Sequence, residues 1–208
     1  MRKQTSFEEK LNAISHGVGA VLGVVALVLL IIFDTKKTDW SLFSVIIYGL
    51  SIIILFTAST LYHAIKDEKK KHVFRVLDHI SIYLLIAGTY TPPSLITLIG
   101  SSGWILFWVV WGIAFFGVVL KLFFTGRFEV FSVILYIVMG YLIVIDFSNL
   151  SQLVDKNALI LLFAGGIAYT GGIIFYAIER IPYNHVIWHF FVLIGAICHF
   201  FMIFFYII

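Results

Sequence analysis

The residues of this chain able to do chemistry are histidines set in lipid-soluble sequence. His185 and His189 stand four apart in IPYNHVIWHFFVL. On an α-helix that spacing places both on one face, with Cβ atoms ~5–6 Å apart. Two imidazoles so placed can grip one metal ion, as the paired histidines of H-E-x-x-H helices do. His63, in STLYH, lies on a different predicted helix at similar depth and can supply a third nitrogen. Three histidines with an open position describe a catalytic zinc site, whereas structural zinc usually takes four protein ligands. Zinc is therefore the expected ion, although imidazole ligation leaves other transition metals open. Asp78, in RVLDHISIY, can bond metal-bound water or accept its proton. Ser59, one turn before His63, can orient that histidine or touch substrate.

Polar side chains inside a membrane span are costly, so each is a candidate for function. Glu8, Asn12 and His16 follow one another at helical spacing and form a supporting stripe on the first predicted helix. That stripe also suits capping and interhelical hydrogen bonds. His79 projects about 100° away from Asp78, and His72 falls in a basic loop. His199 lies about 15 Å along the helix from His189, too far to share its metal, and is expected to bond a neighbouring helix.

These residues must be held by membrane helices. The 208 residues are 62% hydrophobic and 12% charged, about half the charge of a soluble domain. Apolar runs of ~18 or more residues between short polar stretches mark a helical membrane protein. Seven spans follow, over about 12–33, 40–63, 76–99, 104–124, 130–147, 158–178 and 184–208. The fold class is an all-α seven-transmembrane bundle forming one domain. The first apolar run is longer than a signal-peptide core and no A-x-A-like cleavage site follows it, so it is read as a retained span. Thr91-Pro92-Pro93 is expected to kink or end span 3. Gly165-Gly166 and Gly171-Gly172 give small-xxx-small spacings, as in Gly166/Thr170 and Ala168/Gly172, that suit close helix packing. Asp146 is expected at the outer surface, facing water. The single cysteine, Cys198, excludes an internal disulfide framework.

Loop charge gives the orientation. Arg2, Lys3, Lys10, Lys66, Lys69, Lys70, Lys71, Arg75, Lys121, Arg127 and Arg180 fall on one side, against Lys36, Lys37 and Lys156 on the other. Eleven against three predicts a cytoplasmic N-terminus and, with seven spans, an extracytoplasmic C-terminus. The run KDEKKKHVFR reads as an anchor near anionic lipid headgroups. The net charge of +3 is thereby accounted for, and no nucleic-acid partner is implied.

The segments EEKLNAISHGVGA, STLYH, RVLDHISIYLLIAGTYTP and HVIWH together resemble hemolysin III-like proteins. These are the bacterial branch of the progestin and adiponectin receptor family, within a superfamily that includes alkaline ceramidases. The resemblance runs from span 1 to span 7. It implies a seven-helix bundle with the N-terminus inside and zinc bound by His63, His185 and His189. It also implies an aspartate, matched by Asp78, contacting zinc-bound water, and a motif serine, matched by Ser59.

Three functions are compatible with this reading. One is a metal-dependent hydrolase of a lipid amide or ester in the bacterial plasma membrane, with membrane lipids as substrate. Another is a receptor or regulator of membrane state in which zinc ties spans 2 and 7 together. The last is pore formation, against which stand an apolar chain unable to travel as a soluble monomer and spans without a regular charged stripe.

Overall fold

The computed structural model describes residues 4–208. Arg2 and Lys3 of the charge count lie outside them. Among the described residues the fold is 85% helical, without strands. Seven helical segments are long and apolar enough to cross a membrane: Ser6–Phe33, Ser41–Ala64, Glu68–Thr97, Gly103–Phe124, Glu129–Leu153, Lys156–Ala177 and Asn184–Ile207. Their α-helical parts are α1 (Ser6–Phe33), α2 (Ser41–Ala64), α3 (Glu68–Pro92), α4 (Gly103–Phe124), α5 (Glu129–Tyr141), α6 (Phe147–Leu153), α7 (Lys156–Ala177) and α8 (Asn184–Met202).

Local chemistry moves several boundaries away from the hydropathy reading. α1 begins at Ser6 rather than near residue 12 because Thr5 and Glu8 close a capping box. The Thr5 hydroxyl accepts from the Glu8 amide at 3.2 Å, and the Glu8 carboxylate accepts from the Thr5 amide at 2.8 Å. α3 begins at Glu68 because Asp67 caps the Lys70 amide at 2.9 Å. Most of the basic run, His72 included, is therefore helix and not loop.

The α-helix ends at Pro92, as expected, while the span runs on to Thr97. α3 passes directly into a π-helical turn, Pro93–Thr97, closed by Leu98 N donating to Pro93 O at 2.9 Å. The wider turn accommodates the N–H groups that the two prolines lack. The fifth span is longer than the hydropathy reading and changes type midway, with a 3₁₀ stretch at Leu142–Asp146. Tyr90 supports the change: its hydroxyl donates to Gly140 O and accepts from Ile143 N, each at 2.9 Å.

Packing concentrates on α1 with α2, α2 with α3, and α7 with α8, and α1 also touches α8. Close approach needs small residues where helices cross. A Cβ on Gly19 would lie 2.6 Å from the Phe56 ring. On α7 the buried small stripe is Gly165, Ala168 and Gly172, with the His199 ring occupying the space a Gly165 side chain would need. Gly166 meets nothing within 4 Å, and Thr170 pairs its hydroxyl with Tyr141 at 3.1 Å. The Gly166/Thr170 spacing thus carries no close packing, because those positions face away from α8.

The main core joins Tyr48, Leu55 and Phe56 of α2 to Val192 and Ala196 of α8. Outward-facing residues such as Phe115 and Val130 are exposed and apolar, as a lipid-facing surface requires. The alternation of the chain brings the start of α1, the end of α2, the start of α3, the end of α7 and the start of α8 to one end of the bundle.

Candidate metal centre

That shared end gathers the histidines. His63 occupies the last turn of α2, and His185 and His189 occupy the first two turns of α8. His63 and His189 are buried and His185 is half-buried. Each offers a ring nitrogen, and these atoms all lie within 4.8 Å of one another. Ring centroids are 5.2 Å apart for His63–His185, 4.9 Å for His63–His189 and 4.7 Å for His185–His189. Tetrahedral zinc with bonds of ~2.0–2.1 Å needs nitrogens ~3.3 Å apart, so small ring rotations would complete the arrangement.

The hydrogen bonds behind the rings decide which nitrogen is free. His63 Nδ1 is 2.6 Å from Glu9 Oε2. A carboxylate only accepts, so Nδ1 carries the hydrogen, and in the neutral ring Nε2 then presents a lone pair. Nε2 is buried with no hydrogen-bond partner. An orphaned buried acceptor costs ~1–3 kcal/mol. This orphan, beside two other imidazoles, fits a bound transition metal ion. The other oxygen of Glu9 takes a bond from Lys71 Nζ at 2.7 Å, and Lys71 lies 5.3 Å above the Tyr62 ring.

His189 is held from the same helix. Ser15 Oγ donates to Asn12 O at 3.0 Å and stands 3.4 Å from His189 Nδ1. His16 stacks on His189, with ring centroids 3.6 Å apart and planes 8° from parallel. Both ring nitrogens of His16 are buried without partners, as is Asn12 Oδ1. Asn12 donates through Nδ2 to Gln4 Oε1 at 2.8 Å.

Ser59 and Asp78 stand beside the triad on the wall of the same cavity. The buried Ser59 hydroxyl and the Asp78 carboxylate belong to the lining of this one cavity. The cavity encloses about 370 Å³, within the range of small-ligand sites. Its walls are mixed: Glu68, Lys71 and Arg75 on one part, Leu55, Trp188 and Val192 on another.

The eight residues singled out from sequence therefore divide. His63, His185, His189, Asp78, Ser59 and His16 line the cavity. Asn12 underlies it through its carbonyl. Glu8 is buried at the start of α1, where its carboxylate accepts from the Thr5 amide, and its neighbour Glu9 meets His63.

Further polar residues surround the centre. His79 bonds Arg75 O through Nδ1 at 2.7 Å and places Nε2 3.8 Å from Glu129. Glu129 also takes a 2.7 Å bond from the fully buried Lys121, which loop charge had placed at an interface. His199 bonds a neighbouring helix as expected, donating through Nε2 to Leu162 O at 3.2 Å. Asp146 is buried rather than facing water, because Ser101, Ser102 and Asn149 donate to it.

A seven-helix membrane protein with a histidine cluster at one end is thus the class that fold and site define. The haemolysin-III-related family model matches residues 4–200, and the chain belongs to that family. It is 44% identical to hemolysin-3 of Bacillus cereus, over 100% of this chain and 96% of that protein. It is likewise 44% identical to a hemolysin-3 homolog of Bacillus subtilis (strain 168), over 96% of this chain and 94% of the other. Monocyte to macrophage differentiation factor of Homo sapiens is 28% identical over 97% of this chain and 85% of its own. Together these place the chain among hemolysin III-like members of the progestin and adiponectin receptor family.

Proposed function

We propose that the chain is a zinc-dependent hydrolase of a lipid amide or ester, seated in the bacterial plasma membrane with its N-terminus and metal centre at the cytoplasmic face. The observation that carries this reading is the three-histidine cluster in one cavity of mixed polarity that Ser59 and Asp78 also line. His63, His185 and His189 would hold the ion, which supplies water activated near neutral pH and a Lewis acid for a carbonyl. Asp78 serves as base, taking a proton from the attacking water and returning it to the departing amine or alkoxide. Ser59 fixes the Asp78 carboxylate through its hydroxyl. Leu55, Trp188 and Val192 give an acyl chain an apolar wall, and the charged rim meets the headgroup. The experiment is lipidomics of purified protein incubated with ceramide and phospholipid vesicles. Wild type consumes one lipid class and His189→Ala does not; equal turnover by both removes the proposal.

A second reading is favoured by the origin of the ligands on two helices, α2 and α8. Zinc would then clamp these helices in a receptor or regulator of membrane state. Under that reading His63→Ala lowers thermal stability while wild type consumes no lipid. The names of the Bacillus relatives carry a third reading, membrane permeabilisation, for which liposome leakage that survives zinc removal is the distinguishing result.

A further inference from the structure

α1 supplies no histidine to the triad, yet it touches two of the three at their rear nitrogens. Glu9 meets His63 Nδ1 at 2.6 Å and Ser15 meets His189 Nδ1 at 3.4 Å. We propose that α1 sets the tautomer of both rings, so that Glu9 and Ser15 are positioning residues that keep His63 Nε2 and His189 Nε2 as lone-pair donors to a metal ion. This rests on the reading that the three histidines bind metal.

The chemistry constrains each proton. The Glu9 carboxylate has no hydrogen to give, so the hydrogen between it and His63 belongs to Nδ1. Lys71 engages the second Glu9 oxygen at 2.7 Å and stabilises its ionised form, which a neutral acid would not share. Ser15 has one hydroxyl hydrogen, directed to Asn12 O at 3.0 Å. Its remaining lone pairs face His189 Nδ1 and accept from it. Both rings therefore carry hydrogen at Nδ1 and present Nε2 to the cluster. The stacked His16 ring fixes the plane in which His189 points. Glu9, Asn12 and His16 recur at helical spacing, so one face of α1 performs all of this. A free imidazole divides between two tautomers, and a ring in the wrong one must shed a proton before ligating. Partners behind metal-bound histidines typically contribute 10- to 100-fold in metal affinity.

The test uses full-length protein in detergent or nanodiscs, with cobalt(II) as the metal and ¹⁵N-histidine NMR of the metal-free form. In wild type, His63 and His189 show protonated Nδ1 and bare Nε2. Glu9→Ala shifts His63, and Ser15→Ala shifts His189, toward mixed tautomers. Cobalt affinity falls about 10- to 100-fold in Glu9→Ala and less in Ser15→Ala, and Ser15→Thr, which keeps a hydroxyl, restores it. Thermal unfolding of the metal-free variants stays close to wild type. Unchanged affinity in both alanine variants overturns the proposal. So does lost affinity with unchanged tautomers and a lowered metal-free melting temperature, which indicates a purely structural role. If wild type takes up no cobalt, the metal reading fails by itself. The tautomers still decide the inference: Nδ1–H on both rings upholds it, and Nε2–H on either overturns it.

Discussion

The imidazole of His16 lies flat against that of His189, with centroids 3.6 Å apart and planes within 8° of parallel. Phe56 closes the other side edge-on at 4.9 Å. Because both His16 nitrogens are buried without partners, its packing can be separated from its polarity. His16→Ala removes the support behind His189 and costs about 2–3 kcal/mol by cavity formation. His16→Phe keeps the stack and removes two unsatisfied groups, so its stability stays within about 1 kcal/mol of wild type. Chemical denaturation of the purified variants measures both. If the nitrogens also contact a lipid, His16→Phe loses turnover at unchanged stability.

Lys121 and Glu129 join α4 to α5 across their short connection, at 2.7 Å. The pair is asymmetric, with Lys121 fully enclosed and the Glu129 side chain 26% exposed. Glu129→Ala strands a buried ammonium and is expected to cost about 3 kcal/mol. Lys121→Met replaces the charge by an apolar chain of similar length and leaves Glu129 near Arg75, so it is expected to cost about 1 kcal/mol. Denaturation midpoints of the two variants check the order; equal losses would contradict it.

Asp78→Asn and Ser59→Ala separate chemistry from metal holding. Neither residue belongs to the triad, so both variants retain the metal content of wild type. Removing the proton acceptor in Asp78→Asn lowers lipid turnover about 100-fold or more. Ser59→Ala, which only loosens that carboxylate, lowers it less. Turnover assays paired with metal analysis on the same preparations test this.

Removing the metal should soften the bundle. An ion that binds only the folded protein adds roughly 4 kcal/mol when present at 1,000 times its Kd. Chelation is therefore expected to lower the melting temperature of wild type markedly and that of His63→Ala hardly at all. A scanning fluorimetry titration with and without chelator reads the difference.

The spans and the triad were legible in the sequence for a common reason: each depends on local periodicity. Long apolar runs gave seven crossings, and the spacing of His185 and His189 placed two imidazoles on one face. His63 and Asp78 followed from chain direction, since alternating spans bring the end of α2 and the start of α3 to one end. What escaped depends on contacts between distant segments or on side-chain competition. Glu8 and Glu9 are adjacent, and only the approach of α2 shows that Glu9 is the one that meets His63. Lys121 looks like an interfacial cation until α5 brings Glu129 to it. Asp146 looks like a surface acid until Ser101 and Ser102 fold over it. The π-helical turn at Pro93–Thr97 leaves no periodic signature, because it answers a local lack of amide donors.

Whether His63, His185 and His189 together hold one metal ion is decided by elemental analysis of purified protein. One zinc per chain is expected in wild type, lost in both His63→Ala and His185→Ala. Absence of stoichiometric metal from wild type, or its retention in either variant, would contradict that expectation.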